Sequence, residues 1–186
     1  MRDLSEVDLP TLGDGRLVAR PYRPDDATAV ADMSADSEAA RWIPLPTPYT
    51  PTDAETWIAD ADRRWREDLW ATFIVCDAAT GEAIGSNGVR VHAERQSGEL
   101  GYLTKPSARR TGVASGGVRL LVAWCFDVLE LGRLQIRADV RNAPSRAVIE
   151  RCGFGFEGVL RAYDLIRGDR PDDALYSLLP NDPRPW

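Results

Sequence analysis

The chain has 186 residues, of which 44% are hydrophobic, which is enough to build a compact domain with a buried core. Its net charge of −6 argues against a nucleic-acid partner, which usually requires a basic surface, and would suit a cationic substrate. Because the sequence lacks a stretch of about 18 apolar residues and an N-terminal apolar signal core, we expect no membrane span and a cytoplasmic location.

The first half of the chain alternates strand-like and helix-like patterns. In chain order it predicts a strand at Gly15–Tyr22, a short helix at 24–34, an extended loop at Trp42–Pro51, a helix at 52–68 and two strands, 71–77 and 83–91, joined at Thr80–Gly81. Four prolines favour the extended loop. The helix at 52–68 is predicted because four apolar residues share one helical face: Trp57, Ile58, Ala61 and Trp65.

The second half adds a strand at 98–105, a glycine-rich segment and a helix that carries apolar residues from Val118 to Leu129 at helical spacing. A strictly alternating strand at 133–140, a short helix that ends at Gly153 and a closing hairpin over 157–180 follow. No repeat or linker interrupts this order. We therefore expect one α+β domain over residues 1–186, with an ordered core of about 15–180 and a mixed, mostly antiparallel central sheet flanked by helices.

Cysteine and histidine usage gives no sign of a metal site. Cys76, Cys125 and Cys152 lie in apolar runs at unrelated spacings, which favours reduced, buried thiols over disulfides or metal ligands. His92 is the single histidine. No metal is therefore expected.

The glycine-rich segment "SARRTGVASGG", Ser107–Gly117, places two arginines and three glycines directly before a helix. Backbone N–H groups that open a helix bind anions, and glycine lets a phosphate approach closely, so Gly112, Gly116 and Gly117 indicate an anion cradle. The alternative is a flexible turn with an ordinary helix N-terminus. A P-loop is excluded because no lysine follows the glycines, and the dinucleotide pattern G-x-G-x-x-G fails on spacing.

The segment Arg109-Arg110-Thr111-Gly112-Val113-Ala114 resembles the Gln/Arg-x-x-Gly-x-Gly/Ala loop of the GNAT acyl-CoA N-acyltransferases. A second match is an Asn, a short helix and Gly-Phe, found here from Asn142 to Gly153-Phe154, and a third is "ELGYLT" upstream. From about Leu17 to Leu179 the chain resembles the branch that acetylates ribosomal-protein N-termini. The resemblance implies the GNAT fold and acetyl-CoA as co-substrate, contacted by Tyr102, Leu103, Thr104, Arg109, Arg110, Thr111, Gly112, Val113, Ala114, Ser115, Asn142 and Ser145.

The resemblance also implies catalytic roles. Many superfamily members carry a Tyr seven residues after this Asn to protonate the leaving thiolate, but here that position is Ile149. The N-terminal acetyltransferase branch resembles this chain in having Ser at Asn+3, which makes Ser145 the expected acid or thiolate hydrogen-bond donor. Glu99 is the candidate base, with a solvated carboxylate at a strand edge as the alternative. The backbone N–H near Leu103 would polarise the thioester carbonyl.

The acceptor side is less well specified by the sequence. Trp42 and Tyr49 of the proline-rich loop are expected to wall the acceptor cleft, whereas core packing is favoured for Trp57 and Trp65. The function expected is transfer of an acetyl group from acetyl-CoA to a primary amine, either a protein N-terminal α-amine or a small cationic amine, by direct attack. The alternative is a catalytically silent acyl-CoA-binding module. A homodimer is expected only from the resemblance to the N-terminal acetyltransferase branch, since no residue of the sequence points to one.

Overall fold

The structure is a computed structural model that describes residues 4–186, apart from the side chain of Ser5. One eight-stranded sheet runs through it, with the strand order β1-β2-β3-β4-β5-β6-β8-β7. The strands are β1 (Leu12–Gly13), β2 (Leu17–Arg20), β3 (Trp70–Asp77), β4 (Ala83–His92), β5 (Ser97–Thr104), β6 (Arg133–Asp139), β7 (Gly155–Leu160) and β8 (Asp173–Leu178). All neighbouring strands are antiparallel except β5 and β6. The expected mixed, mostly antiparallel sheet is thereby confirmed.

In residues 4–186, six α-helices cover the sheet: α1 (Ala27–Ser34), α2 (Ser37–Trp42), α3 (Pro51–Ala59), α4 (Ala61–Asp68), α5 (Val113–Asp127) and α6 (Ala143–Arg151). Strand β3 shows how they divide into two layers. Phe73 and Val75 point into the main core, which also contains α5, whereas Ile74 and Cys76 point into a second core under α1 and α3. Since successive strand residues face opposite sides, this central strand is buried on both faces.

The prediction of one continuous helix over 52–68 is wrong, because two helices occupy this segment. The helix is interrupted at Asp60, which separates α3 from α4. The apolar residues that were predicted to share one helical face are therefore divided between the two layers. Trp65 of α4 enters the main core, where its ring lies 5.8 Å from Trp124 and its Nε1 donates to the Val7 carbonyl at 2.5 Å. Trp57 of α3 instead borders the second core and stacks edge-on with Trp70 at 5.1 Å.

Other predicted elements lie where the sequence pattern places them. Strand β6 buries Leu134, Ile136 and Ala138 on alternate positions, and α6 ends before Gly153 with its φ of 82°. All three cysteines are free and buried, as expected. The short strand β1 and the helix α2 were not predicted. Within residues 4–186, no helix is both long enough and apolar enough to cross a membrane.

Candidate active site

The two parallel strands separate at the middle of the sheet. Strands β5 and β6 pair only from Ser97 to Glu99 on one side and from Arg133 to Gln135 on the other. Strand β5 continues to Thr104 paired only with β4, while β6 continues to pair with β8. In the described part of the chain, the edge of β5 that faces away from β4 is therefore unpaired from 100 to 104 and borders a gap. Such an edge can hydrogen-bond an extended ligand.

The glycine-rich segment lies at the end of this strand and leads into α5. Gly112 is the N-cap residue, with a φ of +87°, and Arg110 also has a positive φ of 62°. Gly112 has no side chain with which to cap the helix, and the Gly116 N–H donates to the Gly112 carbonyl at 2.9 Å, which is the normal bond of the first turn. The N–H groups of residues 113–115 are thus left at the positive end of a 15-residue helix, an arrangement that binds anions.

Three arginines surround this turn. The Arg109 guanidinium pairs with Asp36, the residue that caps α2, while the exposed Arg110 has no ion-pair partner among residues 4–186. Arg16 donates from Nη2 to the Thr111 carbonyl and so fixes the loop against the first strands. Sequence reasoning missed Arg16 and Asp36, because neither lies near the motif in the chain.

Two of the three glycines have a different role from the one expected. An ideal Cβ on Gly116 would lie 2.5 Å from Leu17 Cδ1, and one on Gly117 would lie 2.7 Å from the Asn87 side chain. Both glycines are buried against the sheet, so they allow α5 to pack closely onto β2 and β4 rather than admitting a phosphate. Of the three, Gly112 alone lies in the turn itself.

Ser145 and Tyr102 meet across the gap. The Tyr102 hydroxyl lies 2.7 Å from Ser145 Oγ and donates to the Ser145 carbonyl at 3.1 Å. Asn142 Oδ1 accepts from the Ser145 N–H at 3.1 Å and so caps α6. Burial raises the pKa of Tyr102, which keeps its phenol protonated and able to donate. The contact of Tyr102 with Ser145 joins β5 to α6 and was not anticipated from the sequence.

Glu99 lies at the last paired position of β5, where the gap begins. Its Oε1 accepts from Arg137 Nη2 at 2.7 Å, and its Oε2 accepts from Gln135 Nε2 at 2.9 Å. Arg137 also pairs with Asp173 at 2.8 Å and Asp164 at 3.3 Å. Burial, together with the nearby Asp164, raises the pKa of Asp173 to about 6. Glu99 is therefore one of three carboxylates around a single arginine, and its role as a base stays a prediction.

A large pocket and a smaller pocket border the described part of the sheet. The larger, with a volume of about 1070 Å³, is called the aromatic pocket; its walls include Tyr22, Tyr49, Trp57, Trp70, Arg64, Ser86 and Leu103. The smaller, of about 470 Å³, is bordered by charged side chains that include Arg41, Asp139, Arg141, Arg167 and Asp169. Ser86 pairs with Leu103 in the strand register, so the aromatic pocket reaches the strand that borders the gap.

The two residues expected to wall the acceptor cleft are separated. Tyr49 lines the aromatic pocket, whereas Trp42 lines neither pocket and donates from Nε1 to Glu38 at 2.8 Å. The proline-rich loop is held by Arg167, which donates to the Leu45 carbonyl at 3.2 Å and to Thr47 Oγ1 at 2.8 Å. This contact joins the loop to the β7–β8 connection.

Comparison with known proteins decides the family. Residues 16–155 match the model of the acetyltransferase (GNAT) domain. The chain belongs to the GNAT acetyltransferase family. It is 28% identical over 173 residues to the uncharacterized N-acetyltransferase p20 of Bacillus licheniformis, a match that covers 92% of this chain and 97% of that protein.

Two solved structures show the same fold. A GCN5-related N-acetyltransferase from Brucella melitensis superposes with a TM-score of 0.79 at 25% identity, over 94% of this chain and 80% of that one. RimJ of Mycobacterium smegmatis, solved with CoA-disulfide, superposes with a TM-score of 0.82 at 22% identity, over 95% of this chain and 89% of that one. The predicted family and fold are confirmed, and the protein is an acetyl-CoA-dependent acetyltransferase.

Proposed function

We propose that this acetyltransferase moves an acetyl group from acetyl-CoA to a primary amine by direct attack within a ternary complex. One observation carries the proposal: the open edge of β5, the uncapped N-terminus of α5 and the hydroxyl of Ser145 all border the gap between β5 and β6. The acceptor is a protein N-terminal α-amine or a small cationic amine. A cytoplasmic location and a homodimer stay predictions.

The residues present fit acetyl-CoA. The N–H groups of 113–115 and the side chain of Arg110 would hold the diphosphate, with the turn at Gly112 in the left-handed conformation that an ordinary side chain disfavours. Tyr102, Leu103 and Thr104 would present strand peptide groups to the pantetheine arm. When bound, acetyl-CoA supplies the activated thioester carbonyl. A carbonyl oxygen held by the N–H near Leu103 would be polarised.

Ser145 would donate a hydrogen bond to the sulfur as the thiolate departs. Its hydroxyl lies at the first turn of α6, and Asn142 holds the backbone at this position. The Tyr102 phenol would stand behind Ser145 as a second donor at 2.7 Å, because its raised pKa keeps it neutral. The phenol that many relatives place seven residues after the Asn would thus be supplied by the strand, on the other side of the gap.

Glu99 would take the proton that the amine loses, directly or through a water molecule. An α-amine has a pKa of about 7.7–8, so that its neutralisation at pH 7 costs about 1 kcal/mol and requires only a weak base. A lysine side chain with a pKa of about 10.4 would require about 4–5 kcal/mol. The proposed chemistry therefore favours α-amines over lysine side chains.

The test is incubation of the purified protein with acetyl-CoA and a panel of peptides and polyamines, with free thiol followed over time. The proposal expects thiol release that depends on the acceptor, together with one acetyl group gained by the acceptor in mass spectrometry. Tight binding of acetyl-CoA without transfer to any amine would refute the proposal and favour a silent binding module.

A further inference from the structure

The aromatic pocket contains a buried cation. Arg64 is 5% exposed and contributes to the pocket wall, where its guanidinium lies over the Trp57 ring and to one side of Trp70. Its guanidinium carbon lies 3.7 Å from the centre of the Trp57 ring and 5.7 Å from that of Trp70. A guanidinium rarely occupies such a position without an anionic partner that compensates its desolvation.

The partners of Arg64 do not satisfy it. Its Nη2 donates to the Trp57 carbonyl at 2.6 Å and its Nη1 to Asp60 at 3.2 Å, while the buried Nε has no partner among the described residues. Asp60 is shared, because Arg63 takes both of its oxygens in contacts of 2.6 and 2.8 Å. Burial lowers the pKa of Arg64 despite this carboxylate. An anion that enters the pocket would therefore find an incompletely paired cation.

Apart from Asp60 and Asp53, whose carboxylate accepts from Thr50, the rest of the pocket wall is mostly apolar, and it extends toward the strands that border the gap. Met33, Leu45 and Tyr49 contribute to it, as does Leu103 beside Ser86. Ser86 pairs with Ile74 of β3, four residues beyond Trp70, which corresponds to about 13 Å along the strand at a rise of about 3.3 Å per residue. The pocket is thus long enough for a molecule that places an amine near Leu103 and a second group near Arg64.

We infer that the acceptor carries a carboxylate on an apolar body, and that Arg64 binds this carboxylate while the aromatic pocket encloses the body. This inference rests on the proposed function, because it assigns the aromatic pocket to the acceptor amine. Arginine binds carboxylates through paired, charge-assisted hydrogen bonds, which a carboxamide cannot replace. A single apolar amino acid and a short peptide with a free C-terminus share this chemistry.

Isothermal titration calorimetry in the presence of CoA tests the inference without requiring turnover. Alanyl-phenylalanine is compared with its C-terminal amide, and phenylalanine with phenylalaninamide, so that the two pairs separate the peptide from the single amino acid. We expect the acid of at least one pair to bind about tenfold or more tightly than its amide. Equal binding of acid and amide in both pairs, or preference for the amides, would overturn the inference.

Variants of Arg64 test whether this residue causes the preference for the acid over the amide. Arg64→Gln is expected to remove the difference between acid and amide, and Arg64→Lys to reduce it, while Arg66→Gln is the matched control because Arg66 lies on the same helix but pairs with the exposed Asp62 instead of Asp60. An unchanged preference in Arg64→Gln would contradict the inference. If Arg64→Gln does not fold, Arg64→Lys and the wild-type comparison decide.

Acetylation assays distinguish a failure of this inference from a failure of the proposed function. Acetylation of polyamines and peptide amides as efficiently as of the acids would refute the role of Arg64 and leave the acetyltransferase proposal intact. Binding of the acids at Arg64 without acetylation of any acceptor would support the pocket assignment and refute the transfer reaction.

Discussion

Substitution of Ser145 by alanine tests the proposed thiolate donor. The variant loses the hydroxyl that lies 2.7 Å from the Tyr102 hydroxyl, but Tyr102 keeps its bond to the Ser145 carbonyl at 3.1 Å. The free energy of unfolding should therefore fall by no more than about 0.5 kcal/mol, the low end for a hydrogen bond. A hydrogen bond to a charged group contributes about 1.5–3 kcal/mol. Loss of the bond to the departing thiolate should then lower kcat by about 10- to 150-fold.

The assay is thiol release at saturating acetyl-CoA and acceptor, with the KM of both substrates measured separately. Because the bond forms as charge develops on sulfur, kcat should fall while the KM for acetyl-CoA stays within about twofold. Ser145→Thr keeps a hydroxyl and should retain most of the activity. Tyr102→Phe should cause a smaller loss, since Ser145 still donates. A Ser145→Ala protein that keeps a wild-type kcat would refute the assigned role.

Three further outcomes follow from the local geometry. Gly112→Ala places a Cβ 3.2 Å from the Arg16 guanidinium at a φ of +87°, so CoA affinity measured by calorimetry should fall severalfold; unchanged affinity would argue against the turn as a diphosphate site. Asn142→Ala removes the cap of α6 and should lower the free energy of unfolding by about 1 kcal/mol in urea, and a loss below about 0.3 kcal/mol would contradict the capping role. Arg133 lowers the pKa of Glu157 to about 2, so this pair stabilises the folded state above the usual carboxyl pKa and progressively less as the pH falls toward 2. Glu157→Gln should lower the free energy of unfolding by less than about 1 kcal/mol at pH 7, because the pair is partly exposed, and should have almost no effect on it near pH 2. A loss of stability that does not change with pH would refute the ion-pair explanation.

Local patterns were enough to predict most of the secondary structure. The strict alternation of β6 and the apolar spacing of α5 reflect burial on one face, which a sequence records directly. The break at Asp60 could not be predicted, because 52–68 has helix-forming residues throughout and only tertiary packing sends Trp57 and Trp65 to opposite layers.

In the candidate site, too, residues at fixed spacing in the sequence could be predicted, whereas contacts between distant segments could not. The loop, Asn142 and Ser145 were found because the family motif keeps them at fixed spacing. The contact of Tyr102 with Ser145 spans 43 residues and that of Arg16 with Thr111 spans 95, so no local pattern could have shown either of them. Arg64, in turn, appears in the sequence as one of several arginines of a polar segment, and only its burial and its unpartnered Nε reveal an incompletely paired cation.

A crystal structure of the protein grown with coenzyme A tests the central claim most directly. The proposal predicts that the diphosphate lies on the backbone N–H groups of residues 113–115, and that the pantetheine arm follows the open edge of β5 past Asn142, with its sulfur within hydrogen-bond distance of Ser145 Oγ. Coenzyme A bound elsewhere, with the gap between β5 and β6 empty, would contradict it.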